Sequence, residues 1–489
     1  MSSNVFNSCG PTVYDYAHIG NFRAFLTYDL LKRWLTYIGY NVEHICNLTD
    51  IDDKIILRMA TEGKSLQEIT TKYTNAFFED LRMLNIIPAN KYPKATDYVS
   101  EIEEMVGNLV DKQHAYINGG SVYFKVSSFP NYNKLAQIPD ERFDGVGGLG
   151  SNERKGAVDK QNSRDFALWK AYTSQDGEVY WDSKLGKGRP GWHIECSAMA
   201  YTLLGPSIDI HSGGADLVFP HHSNEIAQSE AYTGQQFARY WVHNGFVNIN
   251  NEKMSKSLKN FKTLRDIVHE IVDARAFRYL ILSSQYRKPL TFNNESLKGA
   301  LNSLQRIDKA YAKLEDFLTY HSSAVLPDKD FDEDIQNCIE EFEKAMCDDL
   351  NTPRAFAALF SLVKLVEKLL VDNANETSVI QRAGGLIRAL QKMDTVLGLR
   401  YILPSLPHPS LPLVTIPSGQ SCLCGGEHSV AAMQIPDDVQ ALAAERAILK
   451  AEKMYAQADA MRKKIRDSGF DIKDIQGGFE IFPYKQPGS

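Results

Sequence analysis

The sequence predicts an α/β fold: a parallel sheet wound with helices and interrupted by an inserted domain, then a helical bundle and a small carboxy-terminal module. Three observations carry this expectation. Short apolar strands alternate with helices near the start of the chain and again between about Trp192 and Gly234. A helical and then polar, Gly-rich stretch separates these two regions, and beyond about residue 265 the pattern is almost wholly helical. A chain of 489 residues also exceeds one ordinary core, and about 150 residues per domain gives roughly two to four.

In order along the chain, Val5–Cys9 is short, partly apolar and strand-like, and Gly10-Pro11 breaks it. Over Asn21–Tyr40, Phe22, Leu26, Leu30, Trp34 and Ile38 recur every four residues, the period of one helix face. Asn41–Ile45 alternates like a strand, and Thr49 with Asp52 is spaced as a capping box for the next helix. Leu66–Asn118 is mainly helical, Ser121–Val126 reads as a strand, and Asp144–Gly150 is a Gly-rich loop. The strand-helix pattern resumes near Trp192, with Ser207–Ile210 a strand and Pro220 opening a helix that ends near Gly234. Ser303–Leu318, Asp334–Cys347 and Ala355–Val371 carry the long apolar periods of a bundle. Pro404–Pro436 concentrates Pro, Ser and Gly as a linker does, ahead of a charged helix over Asp437–Ser468. The expected divisions are 1–65 and 186–250 for the two sheet halves, 66–185 for the insertion and 251–310 for a loop and contact region. Residues 311–403 form the helical domain, 404–436 the linker and 437–489 the terminal module.

Composition excludes several classes of protein. Hydrophobic residues at 43%, charged residues at 24% and a mean hydropathy of −0.32 fit a globular chain rather than a disordered or membrane one. No basic flank and apolar run open the sequence, and no stretch holds the ~18 apolar residues of a span, so neither secretion nor a membrane is expected. Seven cysteines, odd in number and scattered, make no disulfide framework; their thiols are expected free or metal-bound in the cytoplasm. With a net charge of −7, a polyanionic partner has to be held by local basic patches.

Two motifs carry chemistry jointly. His18-Ile19-Gly20-Asn21 sits at the amino terminus of the first helix, where unpaired N–H groups and partial positive charge suit phosphates, although alone it is also an ordinary strand-to-helix turn. Lys253-Met254-Ser255-Lys256-Ser257 lies among Asn250, Asn251, Lys259 and Asn260 in a polar loop, whose ammonium groups can neutralise a departing pyrophosphate or simply face solvent. In this order and context the pair resembles the signature motifs of class I aminoacyl-tRNA synthetases. The resemblance implies a Rossmann-type catalytic domain with a connective insertion, and catalytic roles for His18, Asn21, Lys253 and Lys256. It also implies ATP binding by His18, Gly20, Asn21, Gly213, Gly214, His222 and Lys256, with Mg²⁺ carried on the nucleotide.

Gly191-Trp192-His193-Ile194-Glu195-Cys196-Ser197, Gly213 to His222 and Asn47 to Lys54 resemble the cysteinyl-tRNA synthetase family in particular. That resemblance implies one Zn²⁺ ion held by Cys9, Cys196, His221 and Glu225, and an amino acid pocket with Thr49, Trp192 and Asp216. His221 and Glu225, four residues apart on one helix face, can share a cation, but spacing alone equally allows buried cysteines and a surface His-Glu pair. Zinc would explain selection of cysteine, because size alone separates near-isosteres by only ~1–3 kcal/mol whereas a soft thiolate bonds the metal well. Asp50, Asp52 and Asp53 are read as a helix start in preference to a Mg²⁺ cluster. Cys422-Leu423-Cys424 with His428 is one ligand short of a closed metal site and is read as a loop.

Ala345 to Pro353 resembles the start of the family's anticodon-binding domain, and Glu445 to Asp474 its terminal module. Arg446, Lys450, Lys453, Lys463, Lys464 and Arg466 then either meet phosphates or are solvated. The expected partners are tRNA(Cys), ATP and L-cysteine, with the chain a monomer. Family members carry a longer lead before a more apolar first strand, so the sequence reads as shortened at its start. Two alternatives remain: a ligase joining cysteine to an amino sugar, which has no use for the long helical region, and a non-catalytic tRNA- or zinc-binding paralogue, against which the intact motifs speak.

Overall fold

The computed structural model describes residues 4–138, 160–250, 252–254, 260–321, 331–369 and 377–400, then 439, 442, 443, 446, 455–468, 470–475 and 478–483. The chain divides into two compact units, 1–415 and 416–489.

In the first unit, strand β1 (Asn4–Ser8), helix α1 (Ile19–Tyr37) and strand β2 (Val42–Cys46) form the opening βαβ unit. After α2 (Asp53–Glu62), α3 (Leu66–Met83), α4 (Val99–Asp111) and an antiparallel sheet of β3 (Ala115–Asn118), β4 (Ser121–Phe124), β5 (Phe166–Ala171) and β6 (Gly188–Pro190), the chain returns. It adds α5 (Trp192–Leu204), β7 (Ile208–Gly214), α6 (Ser223–Thr233) and β8 (Ala238–Asn244). The main sheet has the order β2-β1-β7-β8 and every pair is parallel. Ser8, Cys46, Gly214 and Asn244 therefore end their strands along one edge, and the order switches direction between β1 and β7, the place where such sheets bind ligands.

The helix α1 buries Phe22, Leu26, Leu30 and Trp34 as its spacing predicts. It starts two residues before the expected Asn21, because His18 caps it, and ends at Tyr37, leaving Ile38 and Tyr40 exposed. Asp52, not Thr49, caps α2, accepting from the Lys54 N–H at 2.9 Å, and Asp53 is its first residue and pairs with Lys170, so these two open a helix as expected, whereas Asp50 accepts from Thr96 outside it. Ala115–Asn118, expected helical, is a strand because it pairs with β4 from Ala115↔Phe124 to Asn118↔Ser121. Within 66–185 the packing divides: Tyr73 and Phe77 of α3 join the core of α1, whereas α4 packs with the antiparallel sheet. That second core also takes in Ile194 and Ala198 of α5 and Ala227 of α6.

Beyond the sheet come β9 (Val247–Ile249), β10 (Glu252–Lys253), α7 (Ile271–Leu282) and β11 (Leu290–Phe292). The bundle follows: α8 (Asn294–Tyr320), α9 (Glu333–Cys347), α10 (Thr352–Leu369) and α11 (Thr377–Leu397). Its Leu304, Phe342, Leu362 and Leu390 continue the core of α1. A buried ion network closes that junction. Asp29 of α1 accepts from Arg33 at 2.8 Å and from Arg278 of α7 at 2.5 Å, and Arg278 also donates to the Leu397 carbonyl at 2.7 Å. Gly398 sits against both arginines with φ +59°, a conformation and a closeness that favour glycine.

In the second unit, α12 (Tyr455–Asp467) lies within the expected charged helix, and the hairpin of β12 (Phe470–Ile475) and β13 (Gly478–Pro483) follows it. Val439, Ala443, Ile465, Phe470 and Ile472 form its core. The Gly-rich 144–150 stretch, the 404–436 linker with Cys422, Cys424 and His428, and Lys450 and Lys453 lie outside the described residues. No described helix is long and apolar enough to cross a membrane.

Candidate functional site

At the switch between β1 and β7, the backbone places Cys9 first. Its N–H donates to Ser212 O on β7 at 3.0 Å, and the neighbouring Gly10 N–H donates to Asn47 Oδ1 at 2.9 Å. A Cβ on Gly10 would overlap the Asn47 carbonyl, so only glycine allows this approach. Cys196 comes from α5, and His221 and Glu225 from the turn into α6. Phe219 is extended, φ −139° and ψ 133°, so the helix expected from Pro220 is irregular until Ser223. His221 nevertheless reaches Glu225: its Nε2 is 2.7 Å from Oε1, and 3.6 Å from Cys196 Sγ.

The ligating atoms of Cys9, Cys196, His221 and Glu225 all lie within 4.8 Å of one another, and all four residues are buried. A second group shares two of them: Cys9, Glu225, His211 and His222 satisfy the same limit. His211, on β7, puts Nε2 2.9 Å from the other Glu225 oxygen, and His222 puts Nε2 3.2 Å from Cys9 Sγ. The electrostatics suit a cation. A hydrogen bond between the two thiols, ahead of other causes, draws Cys196 down to about 7 and holds Cys9 protonated. Burial opposes charge on His221, but Glu225 and Cys196 overcome it and push the ring up to about 10. Burial likewise opposes charge on Glu225, which His211 and His221 nonetheless hold well below the usual carboxylate range. A positive charge is thus favoured between Glu225 and the thiols, and two sulfurs, an imidazole and a carboxylate form a donor set that fits a divalent metal.

Beside this cluster lies a cavity of about 480 Å³, lined among others by Cys9, His18, Gly20, Asn21, Trp192 and Asp216. His18 caps α1 reciprocally: its Nδ1 accepts from the Asn21 N–H at 3.1 Å, and Asn21 Oδ1 accepts from the His18 N–H at 3.1 Å. With Nδ1 an acceptor, the neutral ring carries its proton on Nε2. The same segment is paired to the chain beyond the lysine motif, with His18 opposite Thr263 and the Ile19 N–H donating to Lys262 O at 3.1 Å. Met254 lines the cavity and reaches Gly20, where an added Cβ would meet its Cε at 3.2 Å. The two motifs are thus in contact. Lys256 and the Lys253 side chain lie outside the described residues, although the Lys253 backbone belongs to β10.

The remaining expected residues divide. Trp192 stacks on His221, centroids 4.3 Å apart at 29°, and so joins the Cys9–Cys196–His221–Glu225 cluster to the cavity. Asp216 and Gly214 line the cavity. Gly213 is packed against the His222 ring. His222, expected on the nucleotide side, is fully buried between Cys9 and His243 and is not in the cavity lining. Thr49 is buried behind the wall and holds it through backbone bonds to Pro11 and Val13, both 3.1 Å. Sequence reasoning missed His211, which a lone histidine in a strand does not announce, and Asn244, a cavity residue whose Oδ1 has no hydrogen-bond partner among the described residues.

Residues 3–302 match the family of tRNA synthetases class I (C) catalytic domains, and residues 341–401 match the DALR domain. The chain is 42% identical over 480 residues to a cysteine–tRNA ligase of Chlamydia pneumoniae, covering 97% of this chain and 93% of that one. It is 40% identical over 482 residues to a cysteine–tRNA ligase of Trichodesmium erythraeum, covering 96% and 93%. Among solved structures, methionyl-tRNA synthetase of Mycobacterium tuberculosis, in complex with methionyl-adenylate, aligns with a TM-score of 0.58 at 13% identity, covering 82% of this chain and 90% of that one. At that identity the likeness speaks for the fold alone.

Proposed function

The chain belongs to the cysteine–tRNA ligase family, and from that premise we propose how its own residues divide the family's reaction, attachment of L-cysteine to tRNA(Cys) with ATP through a cysteinyl-adenylate. Cys9, Cys196, His221 and Glu225 hold zinc. Bound there, zinc supplies a soft Lewis acid that favours a thiolate over the hydroxyl of serine. Trp192 takes the body of the amino acid and Asp216 its ammonium, while Thr49 supports the wall through Pro11 and Val13.

ATP, with its Mg²⁺, lies along Gly20, Asn21, Gly213 and Gly214. The helix start and His18 Nε2–H face the phosphates, and Lys253 and Lys256 neutralise the charge that develops on pyrophosphate. The cysteine carboxylate attacks the α-phosphorus and pyrophosphate leaves; the 2′-hydroxyl of the terminal adenosine then takes the cysteinyl group and AMP leaves. No side chain becomes a covalent nucleophile, so catalysis is positioning and charge stabilisation. The DALR segment and the exposed Lys463 and Lys464 of α12 serve tRNA binding in a monomeric chain.

The observation that carries this reading is that one cavity is lined both by Cys9 and Trp192 and by His18, Gly20 and Met254. ATP–pyrophosphate exchange tests it, with cysteine or serine, with and without tRNA and a zinc chelator. Exchange is expected with cysteine alone and is lost with the metal. Exchange with neither amino acid, or discrimination that survives metal removal, overturns the reading.

A further inference from the structure

The chain beyond the lysine motif is fastened by a side chain that is not part of the cavity. Arg265 follows the short pairing in which the Ile19 N–H donates to Lys262 O at 3.1 Å and the Leu264 N–H to Ala17 O at 3.4 Å. Its Nε donates to Asp80 Oδ1 at 3.0 Å, and its Nη2 donates to the Ala76 carbonyl at 3.1 Å and to Glu79 Oε2 at 2.7 Å, all on α3. The guanidinium also lies over the Tyr16 ring, 5.0 Å from its centroid. Tyr16 stands two residues before His18, lines the cavity, and meets Tyr73 of α3 edge-on at 5.3 Å. One planar fork thus joins α3, the His18 turn and the segment paired to it.

Such an arrangement differs from an ordinary surface ion pair. The Asp80 side chain is only 5% exposed, and the arginine gives Nε to Asp80 and Nη2 to Ala76 and Glu79 while its face covers an aromatic ring, a set of contacts that lysine cannot copy. The pairing that Arg265 secures contains His18 itself, opposite Thr263. We propose that Arg265 is a positioning residue for adenylate formation: holding Lys262–Leu264 and Tyr16 on α3 keeps His18 in the place from which it meets ATP. The inference rests on the cavity being the ATP site. Arg265 does not touch the cavity, so its effect passes through the backbone of the His18 turn.

The test is Arg265→Met in cysteine-dependent ATP–pyrophosphate exchange, with Arg265→Lys and Asp80→Asn beside it. A misplacement of about 1 Å costs on the order of 100-fold in rate, and a partial one about tenfold. Arg265→Met is expected to raise KM for ATP and lower kcat by about tenfold each, with KM for cysteine and zinc content unchanged. Arg265→Lys recovers part of the loss, and Asp80→Asn shows the same pattern more weakly. Unchanged ATP parameters overturn the proposal, as does a joint rise in both KM values that tracks a lower Tm. If Arg265→Met does not fold, Asp80→Asn decides by the same criteria. A wild-type protein without cysteine-dependent exchange defeats the ATP-site reading itself, whereas an active wild type with indifferent variants defeats only the role of Arg265.

Discussion

Replacing Glu225 with glutamine keeps the size of the side chain and removes one negative charge from a fully buried place. The carboxylate oxygens lie 2.7 Å from His221 Nε2 and 2.9 Å from His211 Nε2. In the metal-free protein this carboxylate, together with Cys196, overcomes the burial of His221 and pushes the ring up to about 10. Without it only Cys196 still opposes burial, and the pKa of the ring falls. Because a ring with a lowered pKa can release its proton, the metal-free variant is expected to avoid the ~3–5 kcal/mol of an orphaned buried charge and to lose the ~1–3 kcal/mol of an impaired buried hydrogen bond. Zinc fares worse. Residues behind a metal ligand are typically worth about 10- to 100-fold in affinity; loss of the anionic ligand itself is expected to cost at least about 100-fold, or ~2.7 kcal/mol. Competition against a chromophoric chelator at pH 7.5 measures this directly, with Tm recorded with and without metal. Wild-type affinity rises with pH as the thiols and His221 release protons, and the variant rises less steeply towards pH 10 because its ring, without Glu225, releases its proton at lower pH. The stability sign follows: the raised His221 stabilises the metal-free fold fully below its unfolded value and loses that contribution as pH rises through about 10. Zinc binding within about threefold of wild type, or ~0.7 kcal/mol, would refute the quartet.

Three further outcomes are expected. His18→Asn keeps a capping side chain on α1 but removes the ring, so Tm holds within a few degrees while exchange falls about 100- to 1,000-fold; equal losses of both would show His18 to be a cap alone. In Gly213→Ala the new Cβ would stand 2.5 Å from His222 Cε1, pressing that ring onto Cys9, and zinc affinity drops by about tenfold in the same competition assay, an unaltered affinity counting against the packing argument. Asp29→Asn leaves Arg278 buried without its counter-charge, so urea unfolding should show a loss of ~3–5 kcal/mol at pH 7. Burial opposes the Asp29 charge but Arg33 and Arg278 hold its pKa below the ordinary value, so the wild-type contribution is present above the unfolded carboxylate pKa and fades as pH falls through the folded one; a loss under about 1 kcal/mol removes the junction role.

Much of the fold was legible because its signals are local. The four-residue apolar recurrence in α1 and the long periods of the bundle need no knowledge of their neighbours: α1, α9 and α10 were placed to within about three residues, whereas α8 starts at Asn294, well before the expected Ser303. What escaped depends on partners distant in sequence. Ala115–Asn118 becomes a strand only through β4, and α3 joins the core of α1 through Tyr73 and Phe77, which local periodicity does not reveal. The start of α1 was displaced because histidine with asparagine three residues on is not the usual capping-box pair, although the geometry is complete. At the site, the motifs identified Cys9, Cys196, His221 and Glu225, which the fold brings together. His211 gave no such sign: its approach to Glu225 exists only once β7 lies between β1 and β8.

The scattering of Cys9, Cys196, His221 and Glu225 along the chain also sets a schedule for synthesis. Cys9 leaves the ribosome with the first strand, but Cys196, His221 and Glu225 follow only after roughly 190 further residues, which takes about 10–40 s at ordinary elongation rates. Through that interval β1 has β2 beside it but not β7, whose Ser212 carbonyl anchors the Cys9 backbone. The flanking residues Ile194, Ala198 and Ala227 belong to the core of the inserted sheet, so that sheet has to pack before the last three ligands are in position. Zinc held by the proposed quartet would therefore be a late clasp, and until Cys196, His221 and Glu225 are made the Cys9 thiol would be open to oxidants and to other metals, so the yield of loaded enzyme would follow the redox state and zinc supply during translation.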